Sequence, residues 1–320
     1  MSLETFVGYV QPHKRALELV KPDRDKNNRK LYREKWWLHA ETRPGLRRNC
    51  LVKKRYLATV RHSKYRTFIW ADSIFIPDDG VFAFARDDDY FFGVLHSRFH
   101  EVWALKQGTH LEDRPRYTPN TCFETFPFPF ADDLAEQPDN TEARLNAAKH
   151  YAHITLHEEA PPHTPEEHRA AIAAAAEELN ELRERWLNPP EWTEEKLLQF
   201  PGSVDGPWAR YLVPKSVDKK TGIGKVFYPR LEPRDADCAA KLKDRTLTKL
   251  YNERPAWLDL AHKKLDAAVA AAYGFPADLT DEQILEKLLA LNLERAAEEA
   301  KAAKVKKPKA QRTKAADELV

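Results

Sequence analysis

A run of cations between residues 43 and 66 is the densest concentration of chemistry in this chain: Arg43, Arg47, Arg48, Lys53, Lys54, Arg55, Arg61, Lys64 and Arg66. It is interleaved with Asn49, Tyr56, Thr59, His62, Ser63 and Tyr65. Long cations contact phosphates at any base sequence, and arginine can also grip guanine with two parallel hydrogen bonds. A second candidate region puts Arg116 and Tyr117 just ahead of Phe123-Glu-Thr-Phe-Pro-Phe-Pro129. Prolines hold the backbone extended and remove donors, so this stretch is expected to be an extended strap rather than a helix or central strand. Alternate residues of an extended chain face opposite ways. Phe126 and Phe128 are therefore expected to anchor the strap on one side, with Phe123 on the other and Arg116 and Tyr117 left for a polyanion.

Other constellations carry weaker chemistry. His96 and His100 stand four apart on a predicted helix, but their order does not match the zinc-hydrolase pattern and no third ligand is evident, so ordinary surface or capping histidines are expected. His150, His153 and His157 share a helical face in solvent-like sequence. Asp78, Asp79 and Asp87–Asp89 raise a metal-dependent nuclease, but Asp87–Asp89 serves better as a helix cap and no suitable lysine follows. Asn188-Pro-Pro-Glu191 approaches the motif with which amino-methylating enzymes hold a flipped base, yet Glu191 stands where the stacking aromatic belongs and Trp192 comes one place late. It follows a helix instead of a strand, and a helix terminator followed by a turn is the better account. No glycine-rich turn stands upstream to hold S-adenosylmethionine. Gly222-Ile-Gly224-Lys225 is too short for a phosphate-binding loop.

The bulk numbers frame these sites. The 320 residues are 42% hydrophobic, with eight Trp, enough for one large or two ordinary domains. Residues 1–70 hold 18 Lys/Arg against 6 Asp/Glu, a balance of +12. The whole chain sums to +2, so the remainder carries −10. A basic N-terminal surface attracts phosphates. Cys50, Cys122 and Cys238 are odd in number and far apart, which fits a reducing cytoplasm. No secretory signal and no membrane span is expected.

The elements that must position the cations read as α+β. Residues 1–50 look irregular apart from a helical patch near residues 29–38. Short strands are expected at residues 56–60, 65–70, 73–76 and 81–85, with Pro77-Asp-Asp-Gly80 as a hairpin turn. One helix should follow from Asp87–Asp89 to about Gln107, burying Tyr90, Val94, Trp103 and Leu105, and ending at Gly108. Beyond residue 131 alanine and glutamate dominate. Helices are expected at 141–157, from the cap at Thr164 to Trp186, at 235–251 and at 256–273. A last helix should run from the capping box Thr280-Asp-Glu-Gln283 to about Ala300. Residues 188–235 read as a long Pro/Gly-rich connection. The expected division is 1–130, a mixed basic domain; 131–300, mainly helical; and 301–320, a basic disordered tail, whose residues 301–314 hold seven Lys/Arg and no acid.

Several segments, taken in order, resemble one family. They are Tyr32-Arg-Glu-Lys-Trp-Trp37, Arg43-Pro-Gly-Leu-Arg47, Lys54-Arg-Tyr-Leu-Ala-Thr59 and residues 85–105, then the strap from Arg116 to Pro129. Arg185-Trp-Leu-Asn-Pro-Pro-Glu-Trp192, Arg245-Thr-Leu-Thr-Lys-Leu-Tyr-Asn252 and Leu265-Asp-Ala-Ala-Val-Ala-Ala-Ala-Tyr-Gly274 continue the set. Together they are similar to the C-terminal half, a target recognition domain plus helical region, of the MmeI-like type IIG/IIL restriction–modification DNA adenine methyltransferases. The resemblance implies sequence-specific recognition of double-stranded DNA in a phage-defence system. It also implies that the S-adenosylmethionine pocket and the catalytic motif belong to an N-terminal half, so a methyltransferase catalytic domain or subunit is the expected partner and this chain alone is expected to hold no cofactor. Two other classes stay open on the residues: a catalytically complete enzyme, and a general RNA- or single-strand-binding module.

Overall fold

The computed structural model describes residues 2–39, 43–50, 52–111, 114–130 and 164–305. Short helices come first: α1 (Leu3–Val7), α2 (Val10–Leu19), α3 (Lys21–Asp25), α4 (Lys30–Glu34) and α5 (Pro44–Cys50). The N-terminal segment is thus helical well beyond the one expected patch. Phe6, His13 and Trp36 give these short helices a common anchor, their ring centroids 5.3–6.2 Å apart.

β1 (Arg55–Val60) is the middle strand of an antiparallel sheet, between β2 (Ile69–Asp72) and β3 (Val81–Phe84). Alternation along β1 sends Leu57 into the main core with Phe68 and Phe84. Tyr56 and Ala58 face the other way, against Cys50 and Leu46 of α5. Both faces of the sheet are therefore covered. Two expectations need correction here. Residues 73–76 are not a strand, because the Asp72 carboxylate accepts the Ile74 amide at 2.9 Å and turns the chain. Pro77–Gly80 is a turn, with Gly80 N donating to Asp78 at 2.8 Å, but the strands around it both pair with β1 and not with each other.

Asp88 caps α6 (Asp89–His96), accepting the Phe91 amide at 2.8 Å. The helix expected to reach Gln107 breaks at Ser97, and α7 (Arg98–Gln107) starts afresh. Its first amide is satisfied from elsewhere: Arg98 N donates to Asp266 at 2.8 Å. Leu105, expected to be buried, is 40% exposed. A small hairpin follows, β4 (Thr109–Leu111) with β5 (Arg114–Arg116).

The strap is not extended throughout. Pro119–Phe123 forms a π-helical turn, which brings Phe123 round to the same core as Phe126 and Phe128. Phe123 and Phe126 pack on Phe128 at 5.8 and 5.1 Å, and Phe128 stacks on Phe91 at 4.8 Å.

Thr164 and Glu167 make a reciprocal capping box at the start of α8 (Pro165–Leu187). This helix crosses α6 at Gly93, where a Cβ would stand 2.7 Å from Ile172 Cγ2 and 3.0 Å from the Ala176 Cβ. The largest correction follows. The expected connection at 188–235 contains a two-stranded ribbon, β6 (Thr193–Ser203) antiparallel to β7 (Ile223–Pro233). Then come α9 (Ala236–Leu242), α10 (Leu247–Glu253), α11 (Ala256–Tyr273) and α12 (Asp281–Val305), so the helix expected across 235–251 is two. Thr280 and Gln283 cap α12 reciprocally, and that helix runs on to Val305 where a disordered tail was expected from residue 301. The expected helix at 141–157, with His150, His153 and His157, lies outside the described residues, as does the tail beyond 305.

One hydrophobic core joins the sheet (Leu57, Phe84), α6 and α7 (Phe91, Trp103), the strap (Phe126), α8 (Ile172, Leu179), α11 (Leu265) and α12 (Leu288). Backbone carbonyls of the strap take donors from the last two helices: Pro127 O from Tyr273 at 2.8 Å, Thr125 O from Asn292 at 2.5 Å and Phe128 O from Arg295 at 2.6 Å. No helix among the described residues is long and apolar enough to cross a membrane.

Candidate nucleic-acid interface

With β1 buried on both faces, its cations emerge at the strand's two ends. Six residues at ~3.4 Å per residue put these ends roughly 20 Å apart. At the first end Lys53 pairs with Asp87 at 2.8 Å. Arg55 lies over the Trp70 ring, 3.8 Å from its centroid, and reaches Asp89 at 2.7 Å. Trp70 in turn stacks on Phe92 at 5.3 Å. Arg55 is thus a strut between the sheet and α6. Lys54 is exposed, and its side chain makes no hydrogen bond or ion pair among the described residues.

At the second end Arg61 is ion-paired with Asp79 at 3.1 Å. Lys64 donates to Asn252 at 2.7 Å. Arg116 leaves the β4–β5 hairpin exposed and, among the described residues, without a side-chain partner. The outer helix α5 carries Arg47 and Arg48 in its last turn, with Arg48 exposed, and Arg43 precedes it, also exposed.

Two candidate contacts are corrected by burial. Arg66 is 8% exposed, and its guanidinium donates to Val60 O at 2.6 Å, Thr59 at 3.1 Å and Pro115 O at 3.3 Å. It closes the loop between β1 and β2 onto the hairpin and does not face a ligand. Tyr117 is 1% exposed. It lies under Arg66 at 4.8 Å and donates to His100 Nε2 at 3.1 Å, and burial pushes its phenol well above the usual range. Thr59 is also inside, donating to Thr67 O at 2.8 Å.

His96 and His100, expected at a helix surface, are buried instead. His100 Nδ1 donates to Leu95 O at 2.9 Å, and burial lowers its pKa to about 3. His96 Nε2 accepts from Arg183 at 2.8 Å, while a second guanidinium nitrogen donates to Phe68 O at 2.9 Å. Tyr251 sits within hydrogen-bonding reach of both His96 at 3.3 Å and His262 at 2.9 Å. Burial, then the Arg254 and Arg183 charges, lower His262 to about 4. This polar knot ties the sheet to α6, α8, α10 and α11. Arg183 had no sequence signal beyond its place on a helix.

The carboxylates are similarly committed. Asp78 closes a turn, Asp79 pairs with Arg61, Asp88 caps α6, and Asp87 and Asp89 hold Lys53 and Arg55. Among the described residues no cluster of His, Cys, Asp and Glu could hold a metal ion. Burial pushes the Cys50 thiol up, which leaves it a poor nucleophile. Asn188 ends α8, its side chain donating to Glu184 at 3.1 Å, and Pro189 O accepts from Thr193 Oγ1 at 2.9 Å. Trp192 is engaged by Arg245, which also covers Trp186 at 4.4 Å.

A small sheet covered on both faces, with cations at its ends and on its outer helix, is braced by helices. Comparisons with known proteins find one family similar to the first part of the chain. Residues 11–130 match the family model described as MmeI, target recognition domain, so the chain resembles the target-recognition portion of MmeI-like enzymes. Among solved structures, the type IIL restriction–modification enzyme MmeI in complex with DNA matches at 17% identity and a TM-score of 0.49. That match covers 89% of this chain and 26% of the other, so the chain spans about a quarter of its length. No curated protein matches.

Proposed function

We propose that this chain recognises a specific sequence in double-stranded DNA on behalf of an adenine-N6 methyltransferase of a restriction–modification system. The match of residues 11–130 to a target recognition domain carries the reading. The exposed cations Arg48, Lys54 and Arg116 support it, because they lie within that segment and stand ready for phosphates. In this reading Lys53, Arg55 and Arg61 shape the rim through their aspartate partners, and Arg66 and Tyr117 hold it from inside.

S-adenosylmethionine supplies the methyl group in that chemistry. The described residues do not fit a donor pocket: the sheets are antiparallel, with no parallel strand leading through a glycine turn into a helix. The donor pocket and catalytic motif are assigned to another unit, to which this chain brings the target.

Selection from a randomised duplex library tests the reading. The pure chain should enrich one short sequence and prefer duplex DNA to RNA and single strands. Equal retention of all duplexes, or preference for single strands or RNA, would overturn it. Calorimetric titration should show no S-adenosylmethionine binding to the chain alone; micromolar binding would favour a catalytically complete enzyme.

A further inference from the structure

The β6–β7 ribbon lies outside the segment matched to a target recognition domain, yet its tip is built with care. Residues 204–222 do not simply close a hairpin. They fold back along the outer edge of β7, with Leu212 bridging Val226 and Val213 N donating to Lys225 O at 2.9 Å. Trp208 fits between Phe200 and Tyr228, each at 4.8 Å, and Tyr211 packs on Tyr228 at 5.2 Å. Asp218 accepts the amides of Lys220 and Thr221 at 2.7 and 3.0 Å, and Gly222 at φ +67° completes the turn.

Lys215, Lys219, Lys220 and Lys225 project from this tip. All four are exposed and none makes an ion pair among the described residues. Asp218, next to Lys219 in sequence, accepts backbone amides and makes no ion pair among the described residues.

The tip is also pinned beside the candidate interface. Arg210 donates to Lys54 O at 3.0 Å and to Ser73 at 3.2 Å, and forms an ion pair with Asp72. Tyr211 donates to the same Asp72 at 3.3 Å. On the other side Ile223 lies against Gly8, and Tyr9 hydrogen-bonds Ser203. The loop that carries the four cations is thus docked, through Arg210 and Tyr211, on the Lys54 carbonyl and on Asp72. Four exposed ammonium groups on one anchored ribbon end suit an anionic surface.

We propose that the ribbon tip is a second clamp on the DNA duplex, in which Lys215, Lys219, Lys220 and Lys225 contact the sugar–phosphate backbone flanking the base pairs read by the sheet region. The inference rests on the DNA-recognition reading above. It assigns these lysines to affinity and not to sequence choice, because ammonium groups meet phosphates as point charges.

The test replaces all four lysines by glutamine (K215Q, K219Q, K220Q, K225Q). Binding is read by fluorescence anisotropy on the selected duplex and on a scrambled one, across a salt series. The expected result is at least a tenfold loss on both duplexes, an unchanged preference between them, and a salt slope shallower by roughly 2 to 4, at about 0.9 per lost phosphate contact. The matching arginine variant should restore both affinity and slope, which separates charge from fold. If the wild-type chain binds duplex and the glutamine variant binds with the same affinity and slope, the clamp is overturned while DNA recognition stands. A wild-type chain that binds no duplex takes both proposals down. Unchanged duplex binding with lost association to the methyltransferase unit would assign the lysines to a protein contact and overturn the clamp.

Discussion

The two cationic surfaces of this molecule are held in opposite ways. At the start of β1 the cations alternate between partnered and free: Lys53 and Arg55 are tied to Asp87 and Asp89, and only Lys54 is left outward. At the ribbon tip four lysines make no ion pair among the described residues, and a different residue, Arg210, does the anchoring. Charge in a sequence therefore overstates charge available to a ligand where strands alternate. A surface loop that carries its own anchor delivers nearly all of it.

The largest effect should come from what lies beneath both surfaces. Phe126→Ala removes a ring packed edge-on to His100 at 4.9 Å and to Phe128 at 5.1 Å, and should cost about 3–5 kcal/mol in denaturant melts. A variant as stable as wild type that has lost DNA binding would mean these rings touch nucleic acid instead.

Acid should act through the polar knot. His100 and His262 are held near pKa 3 and 4, and His96 is lowered as well, against an ordinary 6.5. Between those values the unfolded chain binds protons that the folded chain refuses. Stability is therefore complete above pH 6.5 and lost as pH falls toward 4. Asp266, raised by burial to about 6 from 3.8, works in the opposite direction: its contribution is present below pH 3.8 and lost as pH rises through 6. Burial raises Glu101 too, in the same sense as Asp266; three imidazoles outweigh these two carboxyls, so the melting temperature should fall between pH 7 and pH 4. A flat or rising profile would contradict the assignment.

Tyr117→Phe should cost about 1–3 kcal/mol, because His100 Nε2 loses its buried donor. Were Tyr117 a DNA contact, the cost would appear in binding and not in the melt.

The smallest stability effects should belong to the free cations. Lys54→Ala and Arg116→Ala should each change stability by less than about 0.5 kcal/mol, and each should flatten the salt dependence of duplex binding by about one phosphate. Adding Lys53→Ala and Arg55→Ala to Lys54→Ala should lower stability with little further change in slope. A slope that keeps falling would show that the aspartates release their partners on DNA, erasing the contrast between the two surfaces.

Much of this was readable in advance where a local rule was strong. Asp88, Thr164 and Thr280 announced their helices through the side chains that cap them. β1 and β3 followed from β-branched and aromatic runs. The ribbon was hidden because Thr193–Ser203 and Ile223–Pro233 carry Pro201, Pro229 and Pro233 and many charges, which argue locally against strands. A two-stranded ribbon tolerates them because each strand has an open edge over most of its length. His96 was misplaced because helix periodicity assigns one buried face, whereas α6 is enclosed by the sheet on one side and by α8 on the other; His100 was misplaced because the helix breaks at Ser97 and Tyr117 closes over α7. For Arg66 and Tyr117, types suited to nucleic acid gave no hint that the β4–β5 hairpin folds over them.

Gly93 sets a condition on exchange. Where α6 meets α8 there is no room for even a methyl group, and the facing residues, Ile172 and Ala176, lie beyond residue 130. Residues 11–130 are consequently not a cassette with a sealed base. Transplanted alone onto a new scaffold, they would lose Ile172, Ala176 and Leu265 from against Gly93 and demand a receiving helix that fits as closely there. Single changes at the rim leave that seam untouched, whereas exchange of the whole segment must carry α8 along with it.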